Sequence, residues 1–386
     1  METEKLYYQD VFLRAFDAAV VSCQPEKKRW LVALDRTAFY PEGGGQGADH
    51  GTLGGAKVLD VHEKDGVILH TCDAPLTVGD TVHGEIDWGR RFDHMQQHSG
   101  EHIVSGMLCA AYHCDNVGFH LGADVVTIDY NADIPWEGVL EIERRANEYI
   151  WADHPLEILW PTAEELDALD YRSKKALSGA VRITSFPGAD TCACCGTHVA
   201  RSGQVGLVKF LSCQRFREGV RLELLCGKRA LDYLAVNWEQ NHRIAQALSV
   251  KPQASLAAVE RLQRELQEVK LRAAALEETA FAATAEEYRG AGDVLLFRPD
   301  MANDSVRRLC DTVSAVCGGR CAVFAGQDGS YKYAVIHAGQ DIRAFIREMN
   351  AALSGRGGGR DGFAQGSVRT GEAEIRAFFQ KAGQGE

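Results

Sequence analysis

Asp93-His94-Met95-Gln96-Gln97-His98-Ser99-Gly100-Glu101-His102 is the stretch on which the reading of this chain turns, and Cys192-Ala193-Cys194-Cys195-Gly196-Thr197-His198 is its complement. His98 and His102 stand four residues apart, so on a helix their Cβ atoms lie about 6 Å apart on one face and both rings can reach one ion. Cys194 and His198 repeat that spacing around Gly196, which lets the backbone turn so that thiolate and imidazole converge. Three imidazoles and one thiolate suit tetrahedral zinc. One histidine pair at this spacing is commonplace on solvated helix faces, but two pairs of matched chemistry in one chain point to a shared metal, one ion per chain. Spacing alone leaves Cys192 and Cys195 open as ligands. His94, a turn earlier, reads as a first-turn surface residue, and Cys109 as core.

Working outward, the histidine helix is expected to start at Asp93, whose carboxylate caps it, with Gln96 three residues on completing a capping box. Met95, Ile103, Val104, Met107, Leu108 and Ala111 recur at steps of three and four, so that face packs inward while the histidines look into a cleft. Before the helix, up to about Trp88, alternation in Trp30–Leu34, Lys57–His62 and Val67–His70 predicts short strands of a small β-barrel or curled sheet. Within it lies Thr37-Ala38-Phe39-Tyr40-Pro41-Glu42-Gly43-Gly44-Gly45-Gln46. Gly43, Gly44 and Gly45 expose backbone N–H groups and permit close approach, while Gln46 and Thr37 can hydrogen-bond a small polar substrate.

After the helix, Val125–Tyr130, Val181–Phe186, Leu207–Phe210 and Val220–Leu225 read as strands, and Pro135 to about Asp153 as a helix. The pattern is α+β. From Lys228 the chain turns helical, with a new start at Pro252. Val259, Leu262, Leu266, Val269, Ala273 and Leu276 then form a heptad seam that suits either a dimer or an intramolecular hairpin. After about Gly290, strands at Asp293–Phe297, Cys321–Ala325 and Tyr333–Ile336 alternate with helices at Asn303–Val316 and Ile342–Leu353. Ser354–Gly366 reads as a glycine loop whose Arg356 and Arg360 could hold phosphates. It lacks a Walker lysine arrangement, so nucleotide hydrolysis is not expected. The expected domains are 1–88 (glycine-motif β-barrel), 89–230 (zinc-binding), 231–289 (helical arm or coiled coil) and 290–386 (α/β, for RNA binding and/or dimerisation).

The 386 residues carry 45% hydrophobic and 25% charged side chains, ordinary for a chain with an ample core. No apolar run approaches bilayer length, so a cytosolic address without membrane contact is expected. The 12 cysteines are scattered and partly ligand-spaced, which favours reduced thiols. A net charge of -12 argues against indiscriminate coating of nucleic acid. The sign reverses locally among Arg201, Lys209, Arg215, Arg217, Arg221, Lys228 and Arg229, and arginines recur from Arg343 to Arg376. These two clusters favour RNA as a partner.

Phe39–Gln46, Gln96–His102 and Cys194–His198, in this order, resemble the editing region of alanyl-tRNA synthetases and the free-standing AlaX proteins of the long type. Gly357–Gly366 resembles the glycine-rich end of the synthetase's DHH-associated C-terminal domain. The resemblance implies zinc on His98, His102, Cys194 and His198. It also implies trans-editing hydrolysis of tRNA(Ala) mischarged with serine or glycine. Nothing before the barrel could hold an aminoacylation domain, so deacylation without charging is expected. Glu101 is a candidate base, and Thr37 and Gln46 are candidates for the serine hydroxyl, since a site that hydrogen-bonds a hydroxyl rejects the analogue lacking it. The competing readings are a closed zinc staple in a tRNA- or protein-binding module and a zinc hydrolase of another acyl ester.

Overall fold

The computed structural model describes residues 2–173 and 181–382. The chain divides into two compact units, one ending at Arg243 and the other beginning at Ile244.

In the first unit, six strands, Ala15–Glu26, Arg29–Leu34, Gly51–Leu53, Ala56–Lys64, Val67–Cys72 and Thr81–Ile86, pair in a closed ring. Their alternate side chains, among them Val32, Leu34, Leu53, Val58, Val61 and Ile68, fill its interior. The ring leads directly into the helix Trp88–Tyr112. That helix starts a turn and a half before the expected Asp93: Asp87 caps it by accepting from the Arg90 N–H at 3.1 Å. Trp88 and Phe92, four apart, stack with centroids 5.7 Å apart and extend the apolar pattern backward. Asp93, freed from capping, pairs with Arg229 instead, and Gln96 donates to the Gln204 carbonyl.

The inward face of this helix, Met95, Ile103, Val104, Met107 and Leu108, packs with Val126, Ile128, Leu222 and Leu224 of a four-stranded sheet. The sheet runs Val208–Phe216, Gly219–Cys226, Val126–Tyr130, Asn116–Leu121. Val139, Ile142, Ala146 and Ile150 of the helix Trp136–Trp151 join the same core. A smaller sheet of Glu157–Leu159, Ile183–Phe186 and Asp190–Ala193 delivers the cysteine segment. Arg91 ties ring to helix: fully buried, it donates to Asp49 and to the Ala38 carbonyl, while Asp49 also accepts from the Tyr40 N–H at 2.6 Å.

The basic run in this unit is largely neutralised. Arg201 pairs with Asp153, Lys209 with Glu143, Arg221 with Asp129, Lys228 with Asp232 and Arg229 with Asp93. Only Arg215 and Arg217 of that run stay exposed without an ion pair among the described residues. A linear charge pattern does not show which carboxylates the fold places opposite.

In the second unit, Gly292–Arg298, Gly318–Gln327, Ser330–Ile336, Phe363–Val368 and Arg356–Arg360 form a five-stranded sheet in that order, its first pair parallel and the rest antiparallel. Alternation along one strand separates two cores: Cys321, Val323 and Ala325 face the helix Asn303–Cys317, while Ala322 and Phe324 face Ile346, Met349 and Ile375. The expected glycine loop is a correction. Ser354–Gly366 forms most of a hairpin, because side-chain-free Gly357 and Gly359 let an exposed edge strand lie against Phe363–Val368. The seam residues Leu262, Leu266, Val269 and Leu276 on the helix Ser255–Glu287 are exposed. Among the described residues, no helix is long and apolar enough to cross a membrane.

Candidate metal centre

The two sequence-distant ligand pairs meet. One donor atom each from His98, His102, Cys194 and His198 lies within 4.8 Å of all the others. The ring centroids stand 5.2 Å (His98–His102), 4.5 Å (His98–His198) and 4.7 Å (His102–His198) apart. Helical spacing fixes the first distance, and the turn at Gly196 fixes the others. A Cβ at Gly196 would stand 2.2 Å from His98 Cε1, so only glycine lets the cysteine turn close over the ring. Gly106 plays the matching part on the helix, where a Cβ would stand 2.1 Å from the Ala189 carbonyl oxygen and push away the strand that carries Asp190.

Each ring is oriented from behind. His98 Nδ1 meets Gln46 Oε1 at 2.9 Å, His102 Nδ1 meets Asp190 Oδ2 at 2.8 Å, and His198 Nδ1 faces Ser99 Oγ at 3.5 Å. Occupied Nδ1 atoms turn the Nε2 atoms inward, the arrangement that fixes tautomer and direction in histidine metal sites. Gln46 is itself pinned, donating from Nε2 to Thr197 Oγ1 at 2.8 Å and accepting from the Thr197 N–H at 3.2 Å. Asp190 is held by Arg172, whose Nε donates to Oδ1 at 2.7 Å. Arg182 Nη1 donates to the carbonyls of Cys194 and Gly196, fastening the turn.

These residues fit a zinc ion. The His198 Nε2 atom is buried without a hydrogen-bond partner among the described residues, an expense that a metal bond would remove. Cys194 Sγ stands 3.5 Å from His98 Nε2. Bond lengths of about 2.3 Å to sulfur and 2.0 Å to nitrogen in a tetrahedron give an edge of about 3.5 Å. The charges agree. Burial alone would raise the Cys194 thiol, but the imidazoles of His98, His102 and His198 hold it well below the usual thiol range. Burial pushes the His198 imidazole down to about 3, whereas at His102 burial is outweighed by Cys194 and Asp190, which hold the imidazole well above its ordinary range. Cys192, by contrast, is driven up to about 11 by burial, and Cys195 is exposed. Cys194 is the sulfur in the four-donor group, although Cys192 shares a second group with His102 and Asp190.

Among the described residues, the histidines do not line the open cleft that was expected beside them. His98 and His102 are each 2% exposed and His198 is 1% exposed, leaving half-buried Cys194 as the open edge of the set. Phe119 stacks on His98 at 5.1 Å, and exposed Gly45 packs on Phe119. His94 is likewise a correction: it is 4% exposed, because the helix begins earlier and carries it into the second turn.

Gln46 is buried behind His98, with its Oε1 on His98 Nδ1 and one Nε2 N–H on Thr197 Oγ1. Thr37 is buried in the ring, its hydroxyl 2.8 Å from His70 Nε2. Glu101 is buried and accepts from Ser105 at 2.7 Å and Asn116 at 2.6 Å. Gly43 and Gln46 exchange reciprocal backbone bonds of 3.0 Å, closing a tight turn that presents Gly44 and Gly45 outward. Arg356 and Arg360 lie exposed on the edge strand of the second unit. Sequence reasoning missed Asp190, Arg172, Arg182 and Ser99. Only the position of Asp190, two residues before the cysteine segment, hinted at its part.

A ring-plus-sheet unit holding such a donor set, followed by a five-stranded α/β unit, defines a protein of the synthetase-associated class. Three family descriptions match: tRNA synthetases class II (A) over residues 2–90, the threonyl and alanyl tRNA synthetase second additional domain over 181–222, and the DHHA1 domain over 291–384. The alanyl-tRNA editing protein AlaX-L of Pyrococcus horikoshii is 30% identical over 96% of both chains. The alanine–tRNA ligase of Pyrococcus abyssi is 31% identical over 95% of this chain, which spans 42% of that ligase. The alanine–tRNA ligase of Halobacterium salinarum is 36% identical over 65% of this chain and 29% of its own length. The chain belongs to the alanyl-tRNA editing protein AlaX-L family.

Proposed function

We propose that this chain is a trans-editing hydrolase that cleaves the ester of tRNA(Ala) mischarged with serine, with glycine as a second substrate, and works in the cytoplasm. The observation that carries this reading is the convergence of His98, His102, Cys194 and His198, each imidazole oriented from behind, in a chain alike over nearly its whole length to an editing protein. A zinc ion held by these four residues would act as a Lewis acid on the aminoacyl ester or anchor its amino or hydroxyl group. The chain's own residues do the rest. Gln46 and Asp190 hold the His98 and His102 rings, Gly196 allows the close approach, and burial of the imidazoles excludes bulk water. The ester approaches along the edge bordered by Cys194, Cys195, Phe119 and Gly45. Exposed Arg356 and Arg360 supply phosphate contacts from the second unit, and the exposed seam on Ser255–Glu287 pairs two copies of the chain.

A second reading, a closed zinc staple in a binding module, draws on the burial of all three imidazoles. Deacylation of seryl-, glycyl- and alanyl-tRNA(Ala) separates the two. Wild type should release serine and spare alanine, while His102→Ala and Cys194→Ala should each lose bound zinc and at least a hundredfold in rate, about 2.7 kcal/mol. Wild type that binds tRNA(Ala) yet leaves every ester intact would establish the staple.

A further inference from the structure

One helical turn before His98, the fold assembles a small positive site that the metal centre does not use. The Arg90 side chain is half-buried, and its Nε donates to the Ala48 carbonyl at 2.9 Å. Its Nη atoms have no hydrogen-bond or ion-pair partner among the described residues. Beside it stands His94, 4% exposed, whose Nδ1 is buried with no hydrogen-bond partner. Gly47 lies between the two: a Cβ there would stand 3.2 Å from Arg90 Nη2 and 3.7 Å from His94 Cε1. Gly47, the residue after Gln46, is therefore small where two unsatisfied polar groups flank it.

The electrostatics lack an anion. Burial first, then Arg90 and Arg229, press the His94 imidazole down to about 3, and burial followed by Arg90 lowers His50 nearby. The surrounding carboxylates are already engaged: Asp87 caps the helix, Asp49 holds Arg91, and Asp93 holds Arg229. A guanidinium fork next to a neutral imidazole matches the oxygens of a phosphodiester, which accepts charge-assisted bonds from the fork and, in the tautomer whose proton points at it, a bond from the ring. The distance also fits. Four helical residues place Arg90 and His94 a rise of about 6 Å apart, and His94 the same rise from His98.

We propose that Arg90 and His94 form a subsite for a backbone phosphate of the single-stranded 3′ end of the RNA, locating the terminal ester at the His98 edge. This rests on the function proposed above. These are positioning residues: they hold the nucleic acid and leave the bond-breaking step alone.

The test compares wild type, Arg90→Gln, Arg90→Lys and His94→Gln in seryl-tRNA(Ala) hydrolysis across a salt series, with zinc content measured for each. Arg90→Gln should raise KM about tenfold and leave kcat within about twofold. It should also flatten the plot of log kcat/KM against log salt by about 0.7, the loss of one single-strand phosphate contact. Arg90→Lys should restore the slope, and His94→Gln should raise KM at full zinc content. An unchanged salt slope in Arg90→Gln overturns the subsite, whether or not KM moves. A parallel titration of an uncharged RNA minihelix ending in CCA reads the same slope without chemistry. Wild type that fails to hydrolyse the seryl ester would sink the proposed function, while the minihelix slopes would still decide the phosphate subsite.

Discussion

Two runs of three glycines, Gly43-Gly44-Gly45 and Gly357-Gly358-Gly359, have the same composition and opposite physical uses. In the first, Gly44 and Gly45 take left-handed φ angles of 61° and 86° inside a turn closed by Gly43 and Gln46, and a Cβ at Gly45 would stand 2.6 Å from Phe119. Glycine there bends the chain so that Gln46 enters the core and reaches His98. The second run has no positive φ and forms an exposed edge strand, with ideal Cβ positions at Gly357 and Gly359 falling 2.4 and 1.9 Å from carbonyl oxygens of the neighbouring strand. There, glycine lets two backbones lie flush. One run is about direction and the other about proximity, so a tripeptide alone does not reveal which is in play.

The sharpest way to break the contrast is Gly45→Ala. Strained φ and overlap with Phe119 should together cost about 2–4 kcal/mol in denaturant unfolding of the first unit, with loss of zinc as Gln46 and His98 shift. A change under about 0.5 kcal/mol would show that the first run is as permissive as a surface loop.

Acid should act on the same side of the comparison. Burial lowers His70, whose Nδ1 faces the Val32 carbonyl at 3.0 Å and whose Nε2 meets Thr37, from 6.5 to about 4. The unfolded chain therefore takes up the proton first. Stability present above pH 6.5 is lost as pH falls from about 6.5 to about 4, by about 3 kcal/mol at most. His70→Gln should flatten that part of the stability–pH curve, and an equally steep curve in the variant would remove His70 from the account.

The smallest effects separate positions within the second run. Gly359→Ala, aimed at a strand backbone, should destabilise the second unit by about 1–3 kcal/mol, whereas Gly358→Ala, with nothing near its Cβ, should stay within about 0.5 kcal/mol. Equal losses at both positions would show that backbone freedom, and not close approach, sets the glycine requirement there.

Much of the secondary structure was legible because its signals are local. Period-two alternation marked Arg29–Leu34, Ala56–Lys64 and Val67–Cys72, and three-four periodicity marked the histidine helix, though it placed the start five residues late. The donor set was legible too, since His98/His102 and Cys194/His198 are each a short-range pattern. Its depth was not: periodicity marked one face of the helix as core and assigned the other to an open cleft, whereas the cysteine turn covers that second face.

By itself, then, the sequence determined which atoms can bind a metal and which short segments carry them. Tertiary structure alone decided what stands behind those atoms. Gln46 is 52 residues from His98 and Asp190 is 88 from His102, and no periodic signal spans such separations. The same holds for His94 and Arg90, whose unpaired groups exist only because the glycine turn and the helix meet. Candidate donors are written in spacing along the chain, while their choice, orientation, burial and charge balance arise from contacts through space.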